Sequence, residues 1–208
     1  MDKKQIQNAK LHVLRARTEP SKEVQQVLSP QEIEHTPQLT FLEKRDYLRD
    51  ITGNNSEEII FDSNTAGFDG RDFASLVCGK SKICVMVFHK NGVFGYYQED
   101  ALSLQKADKA TKSTSGKVFL FGLRENQTVV IKRRAGERTG MSIPSSSEKD
   151  MLFIVTSAFW MKTDGKVTFN NYMRNAFNFS CQENPLTGRS FFENIICERL
   201  LVLGYREE

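Results

Sequence analysis

The chain is expected to fold as an α+β domain: an antiparallel two-sheet β-sandwich with flanking short helices, preceded by an N-terminal helical segment. Three observations predict this. From Glu57 onward, short apolar runs of strand length follow one another, separated by turn signals about every ten residues. Two of those turns are Asn91-Gly92 and Asp164-Gly165, dipeptides that supply the positive-φ positions of a tight hairpin. The runs also follow each other in hairpin order, without the long intervening helices that a parallel sheet needs.

Residues 1–53 read as helix and linker. Ile6, Ala9, Val13 and Ala16 recur at helical spacing among Lys and Arg, and Pro20 interrupts them. Val24, Val27 and Leu28 make a short apolar stripe. Ser29-Pro30-Gln31-Glu32 has capping-box spacing with Pro at the first helical position. Thr40 and Glu43 repeat that spacing, Phe41, Lys44, Arg45, Leu48 and Ile51 fall on one side, and Gly53 is a natural stop. The domain proper is expected over residues 57–206. Residues 58–62 predict a strand, and the turn-rich SNTAGFDG follows it. Phe73, Leu76 and Val77 mark a short helix ending at Gly79.

Residues 83–88 and 118–123 are apolar on both faces and predict buried strands, with partners at 93–97 and 127–132. Residues 105–117 are polar and Lys-rich and predict a loop, as does PSSSE from Pro144. A strand is expected over 151–161, its hairpin partner over 166–170, and one last strand over 195–205. Gly95, between Phe94 and Tyr96, needs a reason, because glycine weakens a strand unless the chain bends or another backbone passes close.

The composition fits a globular chain with a real core: 39% of residues are apolar and 26% charged. The net charge of +3 is below that of a dedicated nucleic-acid binder. No apolar run has the length of a membrane span, and the first residues lack the apolar stretch of a secretory signal. Cys78, Cys84, Cys181 and Cys197 are therefore expected as reduced thiols, and the Asn-x-Ser/Thr sites at Asn54, Asn126 and Asn178 as unmodified.

Little in the sequence points to reaction chemistry. Gly79-Lys80-Ser81 resembles the end of a phosphate-binding loop, but Ala74 stands where that loop needs glycine, and the order of helix and strand is reversed. His12, His35 and His89 show no metal-site spacing, and no nucleophile-elbow motif occurs. Asp62, Asp69 and Asp72 lack the order of a calcium loop and are expected to cap a helix. Cys181 is a candidate redox residue, since a thiol reacts when its pKa is lowered. Lys132, Arg133, Arg134 and Arg138 form a candidate anion- or partner-binding cluster at an expected hairpin tip. The reading is of a non-enzymatic binding domain with no cofactor and no metal.

Five segments in order are similar to the TLDc domain of eukaryotic oxidation-resistance proteins, from about Glu57 to Arg206. They are IIFDSNTAGFDGRDF, NGVFGYY, GKVFLFGL, FNFSCQENPLTG and ERLLVLGY. Phe94, Gly95, Tyr96, Asn184, Pro185 and Gly204 fall on the motif positions. The chain departs from the family pattern in two places. SIPSSSEKDMLF replaces a glycine-rich run, and the Lys-rich loop is unusual.

The resemblance implies two face-to-face sheets, with Gly95 and Gly204 where a strand bends or the facing sheet comes close. It also implies an interaction domain acting in the oxidative-stress response, in regulation of the vacuolar proton-pumping ATPase through protein–protein contacts, or in both. The expected location is the cytoplasm, at vesicle or vacuole surfaces, with the nucleus as an alternative. Two other readings of the basic cluster stay open: a nucleic-acid-binding transcriptional regulator using a basic hairpin and the N-terminal helix, or a membrane-trafficking module that binds acidic lipid.

Overall fold

A computed structural model describes residues 41–104, 114–124, 127–144 and 150–206. The readings made on 1–40, on most of the Lys-rich loop and on 145–149 lie outside the described residues. Helix α1 (Phe41–Thr52) is followed by strand β1 (Ser56–Asp62) and two short helices, α2 (Ser63–Ala66) and α3 (Gly70–Val77). Next come β2 (Ile83–His89), β3 (Gly92–Gln98), β4 (Ser103–Leu104), β5 (Val118–Arg124), β6 (Gln127–Lys132) and β7 (Met141–Ile143). The chain continues through β8 (Met151–Val155), β9 (Phe159–Lys162), β10 (Lys166–Phe169), α4 (Met173–Ala176), β11 (Ile195–Ile196) and β12 (Arg199–Arg206).

The strands form two six-stranded sheets. The first has the order β1-β12-β2-β3-β5-β6 and the second β11-β10-β9-β8-β7-β4. All pairings are antiparallel except β4 on β7. The expected antiparallel two-sheet sandwich is therefore the fold. Its main core unites inward residues such as Val85, Phe94, Tyr96 and Leu120 from the first sheet with Phe153, Phe159, Met161 and Phe169 from the second. The other face of the first sheet carries a second cluster, including Met86, Tyr97, Phe119, Phe121 and Leu203, into which α1 sends Leu48. This is why β2 and β5 read as apolar on both faces: each strand supplies one core with its even positions and another with its odd ones.

A buried polar pin joins the layers. The Tyr96 hydroxyl donates to Gln98 Oε1 at 2.9 Å, and the same oxygen accepts the Met141 amide of β7 at 2.9 Å. Gln98 Nε2 donates to the Asp100 carbonyl at 2.8 Å, so both ends of the amide are satisfied in the dry interior.

The expected helix after Asp69 is α3. Asp69 accepts the Arg71 and Asp72 amides at 2.8 and 3.2 Å, and Phe73 and Val77 are its buried side chains. Asp62 caps α2 and grips Arg199 of β12 with both oxygens, at 3.0 and 2.6 Å. The guanidinium holds the Asp62 carboxyl below the usual carboxylate range. A depressed folded pKa stabilises fully above the unfolded range, about 4, and that contribution is lost as pH falls through the folded value. Asp62→Asn keeps a capping oxygen but removes the ion pair. It is expected to cost about 1 kcal/mol at neutral pH, with the gap from wild type closing in acid. Urea unfolding at neutral pH and near pH ~3 checks this.

Three strand readings need correction. The strand expected over 151–161 is two strands, because Ser157 takes a left-handed φ of 64° and the Ala158 amide turns back to the Val155 carbonyl at 3.0 Å. The strand expected over 195–205 is also two, one in each sheet. The Cys197 amide bonds Gly165 of the second sheet at 2.9 Å, and the next amide, Glu198, bonds Phe88 of the first at 2.8 Å. The segment after β6 is not a hairpin tip, since β6 and β7 lie in different sheets and the basic stretch is the crossover between them.

Candidate functional site

The basic crossover lies against the segment that contains α4. The Arg134 amide donates to the Ala176 carbonyl at 2.8 Å, and the Asn178 amide to the Lys132 carbonyl at 3.0 Å. Two of the four predicted cations, half-buried Arg133 and exposed Arg134, bond backbone carbonyls. Arg133 donates to the carbonyls of Thr114 at 2.5 Å and Gly116 at 3.3 Å, bracing the end of the Lys-rich loop. Asp100 braces the same turn by accepting the Ser115 amide at 2.8 Å and the Gly116 amide at 3.2 Å, which holds its carboxyl below the usual range. Arg134 Nε donates to the carbonyls of Arg174 at 2.9 Å and Phe177 at 3.2 Å. Lys132 and Arg138 are exposed. Thr139 then closes the crossover, donating to the Thr156 carbonyl at 2.7 Å.

Two hollows flank it. One, of about 620 Å³, runs between α1 and the first sheet, with Tyr47, Ile51, Phe119 and Val130 lining it beside Lys117 and Lys132. Lys117 Nζ closes one end by donating to the Ile51 carbonyl at 2.7 Å. The other, of about 410 Å³, is lined by Arg134, Arg174, Asn175 and Phe179. Arg174 was not singled out from the sequence. It stands alone in NNYMRN, and only the chain path brings it beside the crossover.

The motif residues lie elsewhere, in the body of the sandwich. Phe94 is fully buried, with ring centroids 5.4 Å from Phe159 and 5.2 Å from Phe169 of the opposite sheet. A Cβ on Gly95 would stand 1.9 Å from the Val85 carbonyl oxygen and 2.5 Å from Phe121 Cζ. One on Gly204 would stand 2.5 Å from Ile60 Cδ1. These crowding atoms come from β2, β5 and β1, neighbouring strands of the same sheet, which corrects the expectation of an approaching facing sheet. A backbone from outside the sheet comes close at Gly122 instead, where a Cβ would meet the carbonyl oxygen of Leu186, in the turns between α4 and β11, at 2.6 Å. Leu186 is held there by Asn184, which is fully buried and accepts the Leu186 amide on Oδ1 at 3.0 Å. Pro185 sits half-buried between them.

Cys181 is exposed, and its thiol donates to the Glu183 carbonyl at 3.2 Å. Partial burial pushes its pKa up, outweighing the opposing pull of Arg174 and Arg124. Burial also pushes Cys84 up, and Cys197 up to about 12. In the folded protein a maleimide should therefore label Cys181 but not Cys84 or Cys197, at a rate rising about tenfold per pH unit below the thiol pKa. Mass spectrometry of the labelled peptides reads this. Fast labelling of Cys181 at acidic pH would contradict it.

Among the described residues no group of His, Cys, Asp or Glu could hold a metal ion, and no helix is long and apolar enough to cross a membrane. No curated protein matches the chain. A family model described as the TLDc domain matches residues 27–151. The NPL loop and the closing strand lie beyond that span. With the order of the NGVFGYY and FLF strands realised as β3 beside β5 in a two-sheet sandwich, the chain belongs to the TLDc domain family, an oxidative-stress-related family whose domain is a protein-interaction module.

Proposed function

We propose that this chain is a non-enzymatic interaction domain of the oxidative-stress response that docks on a protein partner, the vacuolar proton-pumping ATPase, at vesicle or vacuole surfaces in the cytoplasm. The observation that carries the reading is the basic crossover. Arg133 and the Nε of Arg134 bond backbone carbonyls and brace the segment, and Lys132 and Arg138 are exposed on it, as is the rest of Arg134. A rigid charged rim favours specific docking, because little side-chain and loop freedom is lost on association. In this reading residues 57–206 form the docking domain and residues 1–53 an appendage. The last helix of that appendage is tied to the domain through Leu48 and through the Lys117 bond to the Ile51 carbonyl. Cys181 is the exposed thiol available to an oxidant.

Affinity capture with the full chain, from resting and peroxide-treated cells, tests the reading. Pump subunits should be recovered with wild type and lost with the Lys132→Glu, Arg138→Glu double variant. Equal recovery by both would move the docking face elsewhere, and recovery by neither would remove the pump as partner.

A further inference from the structure

Close to the basic crossover, at one end of the second sheet, two aromatic side chains stand in solvent. Phe192 is 81% exposed and Tyr172 70%. They belong together. β10 pairs β11 with Lys166 opposite Ile196 and Val167 opposite Ile195, and Thr168 bonds Asn194 at 3.1 Å. Phe192 follows Phe191, whose ring carries the Arg174 guanidinium, and Tyr172 lies two residues before Arg174. Ile196, on the same edge, is 55% exposed. Arg174 also lines the hollow of about 410 Å³, together with Arg134, Asn175 and Phe179. The Arg174 guanidinium lies 5.9 Å from the Phe191 ring centroid, and Arg134 turns one nitrogen to carbonyls, leaving the rest of its guanidinium for a ligand. Of the nearby carboxylates, Glu193 pairs with Arg189 at 3.3 Å, and Glu137 sits in the crossover turn.

Two protruding aromatics and an exposed isoleucine beside a two-arginine hollow match one kind of surface. We propose that this end of the molecule docks on an anionic lipid bilayer, with Phe192 and Tyr172 entering the interfacial layer and a headgroup phosphate seated between Arg134 and Arg174. Aromatic rings favour the headgroup level, and cations near an anionic leaflet add to the attraction. Single-stranded nucleic acid fits less well. It needs free ring faces, whereas Phe179 and Phe191 are stacked on each other at 6.1 Å, and an aliphatic Ile196 offers bases nothing to stack on. The inference does not rest on any protein partner.

Co-sedimentation of the full chain with vesicles of phosphatidylcholine alone, or mixed with phosphatidylserine, tests it. Binding should require the anionic lipid and weaken with added salt. Phe192→Ser should weaken it roughly tenfold, and Arg174→Gln about fivefold, both with unchanged melting. Tyr172→Ser stands in should Phe192→Ser misfold. The tryptophan emission of Phe192→Trp, corrected for Trp160 in the wild type, should shift to the blue with anionic vesicles only. A chain left in the supernatant with both lipids, or one whose binding ignores the aromatic substitutions, would overturn the proposal. So would one that binds a labelled oligonucleotide but not vesicles.

Discussion

Gly95→Val is expected to abolish soluble, folded protein. The reason is geometric. Even the first carbon of a side chain would lie 1.9 Å from the Val85 carbonyl oxygen, a backbone atom fixed in the β2–β3 ladder, and 2.5 Å from the Phe121 ring. Ordinary overpacking costs about 1–3 kcal/mol because side chains can give way. Here the obstructing oxygen belongs to a central strand, so relief means parting β2 from β3, and the cost should take most of a typical stability of about 5–15 kcal/mol. Gly95→Ala should fail in the same way. Gly70→Ala is the control: its Cβ would meet nothing nearer than Thr163 Cγ2 at 3.9 Å, and alanine suits the first turn of α3. Soluble yield and thermal melting read both. A Gly95→Val protein that melts like wild type would show that β3 is not where it is described.

Phe94→Ala should be the most damaging truncation that still folds, costing about 3–5 kcal/mol. Its ring touches Phe159 and Phe169 of the other sheet and the His89 ring at 5.5 Å, so no single neighbour can collapse into the void. Urea titration should show a lower midpoint with unchanged slope. Phe94→Leu, which fills much of the space, should recover a large part of the loss. An alanine variant within 1 kcal/mol of wild type would mean that the two sheets close over the gap, about the limit for a site able to repack.

The sandwich was legible because its two-faced strands leave a plain mark. β2 and β5 serve two cores, so they lack alternation, and Asn91-Gly92 announces its hairpin, although the turn residues are Lys90 and Asn91, Gly92 already pairs His89, and Asn91 does not take the positive φ expected of it. The Ser157 turn was not legible, since Thr156-Ser157-Ala158 holds no glycine or asparagine. The break between Cys197 and Glu198 was hidden for a related reason: both halves are apolar, and periodicity along one chain cannot say which sheet a strand joins. The basic cluster was legible as charge but not as geometry. Nothing in KRRAGERTG distinguishes the arginines that clamp carbonyls from those that face solvent. Tyr172 and Phe192 carry no sequence signal, because aromatics in turn segments follow no period and Phe192 stands beside Phe191, which is buried.

The placement of β12 bears on biosynthesis. This strand lies between β1 and β2, and among the described residues it is the one strand that pairs β1. As the polypeptide leaves the ribosome, the stretch that becomes β1 therefore emerges well over a hundred residues before this ladder partner. It must wait unpaired while the rest assembles, a long interval in which an exposed edge invites capture by a chaperone or by a like strand of another nascent chain.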